Sequence, residues 1–520
     1  MTDLSRRDAL VGGAVVGTMG AMRLGAAIGG DAARPLLPIP QELRANARGE
    51  IAFSARAGTV EFLRGRRTAT YGYNGPFLGP VLRLRRGQTV MIDFANHLSD
   101  PTTVHWHGLI IPGDVDGGPH RPIAPGEHWR PALSINQPAA TLWFHPHFYP
   151  TTAAQVTKGL AGLLVIDDED TDRLKLPSRW GVDDVPLIIQ DRRFTRDGQF
   201  FDRMNITAVT NGYVGDVPLV NGVRYPEART TRGWVRLRLL DGSNARSYAL
   251  KASDGRSLFV IGSDGGLLES PVEVKEIGIH AGERFEVMVD CRSGTPFDLL
   301  TLPVEQPIMR LPPFDGPVPL VTIRPVGAVG PGELPASLVK LQPVPAELPA
   351  AGQQLVMNMF RDEEGMMPLM KAGLMSMAKS GKTDPAVVGR VTKLIVDQPE
   401  LTMAVQLSAN GVNGRPFALG EPMFAVRRSQ ELRWRISEAS DRMLHPVHVH
   451  GCQFRIVSAS GQPPEAYRAG WKDIVPISAG GFAEILVSFP YPAGVDMPYM
   501  AHCHILEHED SGMMTQFTVA

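Results

Sequence analysis

The stretch Ala501-His502-Cys503-His504-Ile505-Leu506-Glu507-His508-Glu509-Asp510-Ser511-Gly512-Met513-Met514, near the chain's end, decides how the rest is read. One cysteine stands between two histidines, with His508 five residues after it and Met513 ten residues after it. A thiolate, an imidazole and a weak axial thioether belong to the ligand set of an electron-transfer copper; only a second imidazole is missing, and it must come from elsewhere. Side chains alternate between the faces of a strand, so His502 and His504 turn away from Cys503, toward a second site wired to the first through the cysteine.

Working outward, one β pattern recurs three times. In the first copy Asn74-Gly75-Pro76-Phe77 leads into Val81-Leu82-Arg83-Leu84-Arg85, then Gly87, a strand over residues 89–94 and the turn Ala124-Pro125-Gly126-Glu127. In the second, Asn221-Gly222 leads into Trp234-Val235-Arg236-Leu237-Arg238-Leu239, and Ala281-Gly282-Glu283 into residues 285–289. In the third, Asn413-Gly414-Arg415-Pro416-Phe417 leads into Glu431-Leu432-Arg433-Trp434-Arg435-Ile436, and Ser478-Ala479-Gly480-Gly481 repeats the turn. Strict alternation predicts half-buried strands. Three such units predict an all-β protein of three β-sandwich domains, over residues 45–170, 180–326 and 353–520, with a Pro/Gly/Ala-rich linker over 327–352. The 520 residues suit about three domains of roughly 150 each, and 54 glycines with 44 prolines suit a turn-rich β protein.

Ten of the 14 histidines fall in four clusters. The first copy carries His105-Trp106-His107-Gly108 and Trp143-Phe144-His145-Pro146-His147. The third carries His445-Pro446-Val447-His448-Val449-His450-Gly451 and His502-Cys503-His504 with His508. At the matching place the second copy has Asn244-Ala245-Arg246-Ser247-Tyr248, which offers no metal ligand. The first and last domains are therefore expected to build one site from paired His-x-His strands, with the middle domain a spacer. His97, His120, His128 and His280 stand outside the clusters and read as ordinary surface or hydrogen-bonded histidines.

A formal net charge of −2 offers no polyanion-binding surface, so nucleic acid is not an expected partner. Three cysteines form no disulfide framework; Cys291 and Cys452 are either paired or two buried thiols. Ser5-Arg6-Arg7-Asp8-Ala9-Leu10 and the Gly/Ala-rich run after it resemble a twin-arginine export signal, with small residues over 25–33 offering cleavage sites. The apolar run is too short for a membrane span, so residues 1–33 read as a signal region rather than an anchor, and the protein as periplasmic with no stable membrane insertion.

The four clusters resemble those of the multicopper oxidases, the laccase-like family. The similarity covers essentially the whole mature chain, and is nearest to the bacterial periplasmic copper-tolerance oxidases through Gly159-Leu160-Ala161-Gly162-Leu163 and Glu507-His508-Glu509-Asp510 with Gly512-Met513-Met514. The resemblance implies three cupredoxin-like Greek-key domains and four coppers per chain. Type 1 copper would take His445, Cys503 and His508 with Met513 axial. Type 2 copper would take His105 and His448, and the two type 3 coppers His107, His145, His147, His450, His502 and His504. It also implies proton-handling roles for Asp116 and Glu509, against bland readings as a turn aspartate and a solvated acid. Trp471-Lys472-Asp473 matches the family too, without an assigned role.

Seven of the 21 methionines lie over residues 357–377, where 363–380 reads as a helix. Methionine is an adaptable core filler, yet thioethers select Cu(I). In the copper-tolerance oxidases such a segment carries a substrate copper site, which the resemblance places on Met357, Asp362, Asp441 and Met443. The expected function is oxidation of Cu(I), and of small phenolic reductants, coupled to reduction of O2 to water by an exported monomer active in copper detoxification. A general laccase acting on phenols or aromatic amines is one alternative. A copper-free cell-division structural protein of the same fold is another, but that class lacks the ligands kept here. An electron-transfer module without oxidase activity would not need the eight type 2 and type 3 histidines.

Overall fold

The computed structural model describes residues 34–306, 308–375, 384–439 and 443–520; the signal region and Asp441 lie outside them. Six sheets fall into three sequential pairs, as the threefold repeat predicts. The first pair comprises a four-stranded sheet (Glu42–Leu43, Val81–Arg85, Gly162–Asp167, Ala140–Phe144) and a five-stranded one built on Glu50–Leu63 and Thr89–His97. The second comprises a six-stranded sheet centred on Trp234–Asp241 and Arg284–Asp290 and a five-stranded sheet centred on Phe297–Leu302. The third comprises two five-stranded sheets, one centred on Leu432–Glu438 and one in the order Phe424–Val426, Met514–Val519, Tyr499–Cys503, His445–Val449, Ile474–Ile477. Each pair encloses its own apolar core. No helix among the described residues is long and apolar enough to cross a membrane.

Two of the three alternating runs are not half-buried. Val81–Arg85 is buried at its first four positions and Trp234–Asp241 at its last seven; only Leu432–Glu438 alternates. The outer faces of the first two are covered, and Arg83, Arg236 and Arg238 are buried in ion pairs, while Arg85 at the end of its strand stays exposed. Arg83 meets Asp167 with two hydrogen bonds of 2.6 Å. Arg238 meets Asp184 at 2.7 and 2.9 Å and Glu286 at 3.0 Å, and Arg236 also binds Glu286. Thr141 of the first sandwich donates to Glu286 at 2.6 Å, which ties this charged patch across to its neighbour.

Residues 327–352 are less free than a linker. The strands Val318–Val329 and Ala351–Met359 take up both ends, and Leu334, Leu338 and Val339 pack against the middle sandwich. The methionine-rich helix runs over Asp362–Lys371 and breaks at Gly373, at φ +101°; residues 374–375 are helical again, and the rest of the 363–380 read from the pattern lies outside the described residues. Cys291 and Cys452 are unpaired and lie in different cores.

Burial alone would raise the Glu286 carboxyl, but the guanidinium groups of Arg236 and Arg238 outweigh it and hold it at about 2, against 4.5 for the free side chain. The folded state thus takes this proton less readily than the unfolded chain. Its contribution is fully present above about pH 4.5 and is lost as pH falls toward 2. Glu286→Gln should lower stability at neutral pH by about 3–5 kcal/mol, because it leaves the buried Arg236 guanidinium without its carboxylate and Arg238 with Asp184 alone. Denaturant titrations across pH should show a shallower acid-dependent fall in the variant than in the parent.

Candidate metal centre

Strand register brings the histidines together. His448 lies opposite His502 and Val447 opposite Cys503 in antiparallel pairing. In the first sandwich His105 and His145 exchange backbone hydrogen bonds of 2.9 and 3.2 Å. Alternation then sorts the side chains. Val447, Val449, Tyr499, Ala501 and Cys503 face the third core, while His448, His450, His502 and His504 face the first sandwich.

Five groups of donor atoms result among the described residues, each with its atoms within 4.8 Å of one another: His107, His145 and His504; His147, His450 and His502; His105 and His448 together with His107; His445, Cys503 and His508; and His105 and His450 with Asp116. All ten histidines are buried. Burial, followed by neighbouring histidines or cations, holds His107, His145, His147, His448, His450 and His504 well below the usual imidazole range. Burial pushes His502 down to about 3. These rings are therefore neutral at ordinary pH, each with one nitrogen carrying a lone pair.

The partners fix which nitrogen that is, because a carbonyl or carboxylate oxygen only accepts. Nδ1 donates to a backbone carbonyl in His105 (Asp116, 3.0 Å), His145 (Pro146, 2.8 Å), His448 (Asp473, 2.8 Å) and His502 (Cys503, 3.0 Å). In His450 it donates to Asp116 Oδ2 at 2.7 Å. Nε2 is then the bare nitrogen in all five. His107 is the exception: its Nε2 donates to Asp473 Oδ1 at 3.0 Å and its Nδ1 is bare. The bare nitrogens face one another. His105 and His448 meet at 3.4 Å, His107 and His145 at 3.3 Å, and His450 and His502 at 3.2 Å. His147 Nε2 lies 3.3 Å from His502 Nε2, and neither ring nitrogen of His504 has a hydrogen-bond partner on another of the described residues. Opposed lone pairs in a buried site repel unless a cation accepts them, so the donor set fits soft or borderline metal ions with imidazole ligands.

The sulfur group is set by the last turn. Cys503 Sγ lies 3.4 Å from His445 Nδ1 and 3.7 Å from His508 Nδ1. The short helix Leu506–Glu509 turns His508 back toward the strand. Gly512, at φ +104°, lets the chain reverse tightly enough for the Met513 carbonyl to accept from Cys503 N at 3.1 Å. Met513 is buried in the same core as Cys503, Met357 and Met443.

Two acids approach the histidine groups as expected. Asp116 holds His450 by its carboxylate and His105 by its carbonyl, while its Oδ1 has no hydrogen-bond partner among the described residues. Glu509, fully buried, puts its oxygens 3.2 Å from His147 Nδ1 and 3.3 Å from His502 Nδ1. Burial and then Asp510 push its carboxyl well above the usual range. Glu509 is buried rather than solvated, and Asp116 closes the short turn Gly113–Val115 as the bland reading had it, with its side chain buried against the histidines. Asp473, to which the sequence assigned no role, holds His107 and His448. The middle sandwich is more than a spacer: Arg284 binds Asp473, and Asn244 donates to Glu507 at 2.7 Å. Of the substrate-site candidates, Met357 and Met443 are buried, Asp362 opens the methionine-rich helix, and Asp441 lies outside the described residues. His97, His120, His128 and His280 join none of the donor groups.

Family models described as multicopper oxidase match residues 54–171 and 391–520. Multicopper oxidase mco of Staphylococcus aureus is 34% identical over 470 residues, covering 89% of this chain and 87% of that protein. Cell division protein FtsP of Xenorhabdus nematophila is 32% identical over 527 residues, covering 99% and 98%. Among solved structures, the laccase-like multicopper oxidase CueO from the lignin-degrading Ochrobactrum sp. superposes with a TM-score of 0.78 at 35% identity, covering 93% of this chain and all of that one.

Gly108, directly after His107, has φ +91°; a Cβ there would sit 2.6 Å from Asp473 Oδ2 and 2.9 Å from Arg284 Nη2. Gly108→Ala should cost about 1–3 kcal/mol in strain and deplete metal from the histidine groups while the Cys503 group keeps its own. Elemental analysis beside the visible thiolate-to-metal band separates the two.

Proposed function

This chain belongs to the multicopper oxidase family, and from that premise we propose that it oxidises Cu(I), and small phenolic reductants, with O2 as the acceptor. The proposal includes export by the twin-arginine route, division into domains over 45–170, 180–326 and 353–520, and a role in copper detoxification in the periplasm. One chain carries the complete donor set, which supports a monomer.

The observation that carries the reading is the convergence of ten buried histidines and one cysteine into a sulfur group and a histidine cluster. His445, Cys503, His508 and Met513 would hold type 1 copper. His105 and His448 would hold type 2 copper, and His107, His145, His504 and His147, His450, His502 the type 3 pair. When bound, four coppers would supply four one-electron changes, one at the thiolate and three at the histidine cluster, together enough to take O2 to two waters. Cys503 is bonded through the backbone to His502 and His504, the shortest covalent link between the two sites. Asp116 and Glu509 hold and pass protons beside the cluster, at Oδ1 of the one and at the carboxyl oxygens of the other near His147 and His502. The tightly packed wall of Trp143, whose ring stacks on His145 at 4.1 Å, keeps bulk water out.

For the substrate, Ala439 N donates to the Met357 carbonyl at 2.9 Å, and the strand carrying Met357 pairs with Leu432–Glu438. The Met357 and Met443 thioethers pack in the core that holds Cys503, which supports Cu(I) reaching the type 1 site there. A general laccase is the second reading, favoured by the CueO relative with activity towards lignin model compounds and lignosulfonate. The retained donor set argues against a copper-free cell-division role.

Copper-loaded protein should be blue and consume O2 with either donor, and Cys503→Ser should lose the visible band and turnover together. Colourless, fully loaded protein that takes up no O2 would sink the reading. Asp362→Asn should slow Cu(I) oxidation about tenfold or more while leaving oxidation of a phenol without added copper nearly unchanged. Equal loss on both donors in steady-state O2 uptake would favour the laccase.

A further inference from the structure

Resting on the reading of the histidine cluster as a copper site, we propose that Asp473, pinned by Arg284 of the middle sandwich, is a positioning residue that sets which nitrogen of His107 and of His448 faces the cluster. Asp473 mirrors Asp116. Asp116 holds a histidine of the last sandwich, His450, by its carboxylate and its own sandwich's His105 by its carbonyl. Asp473 holds a histidine of the first sandwich, His107, by its carboxylate at 3.0 Å and its own sandwich's His448 by its carbonyl at 2.8 Å. Each aspartate thus spans the seam between the two histidine-bearing sandwiches and sets one ring on either side.

The two differ in freedom. Asp116 Oδ1 has no hydrogen-bond partner among the described residues. Both oxygens of Asp473 are taken: Oδ1 by Arg284 Nη1 at 2.7 Å as well as by His107, and Oδ2 by Arg284 Nη2 and by Gln453 Nε2 at 2.9 Å. Arg284 cannot swing either. Its Nε donates to the Thr141 carbonyl at 3.1 Å, its Nη1 also to Gly282 O at 3.0 Å and its Nη2 also to Asp264 O at 3.1 Å. All five guanidinium protons are placed, on oxygens from all three sandwiches. A rigid fork on a carboxylate fixes orientation as a lysine's point charge does not.

The consequence is chemical. With its Nε2 proton committed to Asp473, His107 presents Nδ1, whereas His105, His145, His448, His450 and His502 present Nε2. Turning the His107 ring would point an N–H at His145 Nε2, now 3.3 Å from its bare nitrogen. Asp116 remains the acid with a spare oxygen for protons; Asp473 is a fixed orienting charge.

Two measurements test this on the full-length protein. In the copper-free, [15N]histidine-labelled parent, long-range 1H–15N spectra should show the proton on Nε2 in His107 and on Nδ1 in His448; the opposite at either ring overturns the proposal. In copper-loaded Asp473→Asn and Arg284→Lys, cluster copper should be lost to a chelator about 10–100-fold more readily. The type 2 electron paramagnetic resonance pattern should change, with the visible type 1 band intact. Variants that keep the cluster's copper and its resonance pattern overturn it, and so does joint loss of every copper with the fold, which marks a merely structural residue. Should the parent bind no copper yet show both protons as assigned, the proposed oxidase function fails and the positioning role stands.

Discussion

Bare imidazole nitrogens from two sandwiches meet at 3.2–3.4 Å in a buried space, and the rest of the molecule is arranged around tolerating that. A neutral imidazole ordinarily satisfies its lone pair with water or a donor. Here each lone pair faces another, which in a region of low dielectric is unfavourable without a cation. The first and last sandwiches must therefore be held together by something other than the histidines themselves.

Three buried polar seams supply that hold. Asp510 of the last sandwich caps the helix Thr152–Lys158 of the first, accepting from Thr152 N at 3.0 Å and Ala153 N at 2.7 Å. Thr141, Glu286 and Arg238 join the first sandwich to the middle one. Lys472 and Arg468 join the last to the middle one through Glu283, at 2.7–3.0 Å. Buried ion pairs of this kind roughly balance their desolvation cost, so they add little net stability; their directional hydrogen bonds fix how the surfaces meet. Among the described residues the middle sandwich contributes to none of the donor groups, yet it is the wedge against which the other two are aligned.

How much of this is legible in sequence follows from what each residue answers to. The His-x-His pairs are legible because strand alternation alone places both histidines on one face. The same rule, applied from His445 to His448, puts those two on opposite faces and assigns them to different sites. Arg83, Arg236 and Arg238 misled: in an alternating run they read as solvent-facing, and only the neighbouring sheet and its acids turn them inward. The helix read over 363–380 is interrupted because Gly373 takes a left-handed conformation that the hydrophobic pattern does not register. Asp473 was illegible for a deeper reason. Its role depends on Arg284, 189 positions away, and on carbonyls from other sandwiches, so no local pattern announces it. Its sequence signals were the family match of Trp471-Lys472-Asp473, which carries no role, and a charged Lys-Asp pair directly before the apolar strand Ile474–Ile477.

The separation of the two metal groups is itself a property of one strand. In Tyr499–Cys503, side chains at 499, 501 and 503 enter the third core and those at 500 and 502 leave it. The partner strand His445–Val449 does the same in matching register, with His445 on the core side and His448 on the other. The thiolate group is thereby built on the inner face of the sandwich and the histidine cluster on its outer face, one pleat apart. A slip of one residue in this pairing would exchange the faces, burying imidazoles among the apolar side chains around Met513 and turning Cys503 toward the first sandwich. The apolar core on one side and the docked sandwich on the other both oppose that slip. The covalent link between the groups thus needs no separate device: it is fixed by the pattern that makes the sheet fold in a single register.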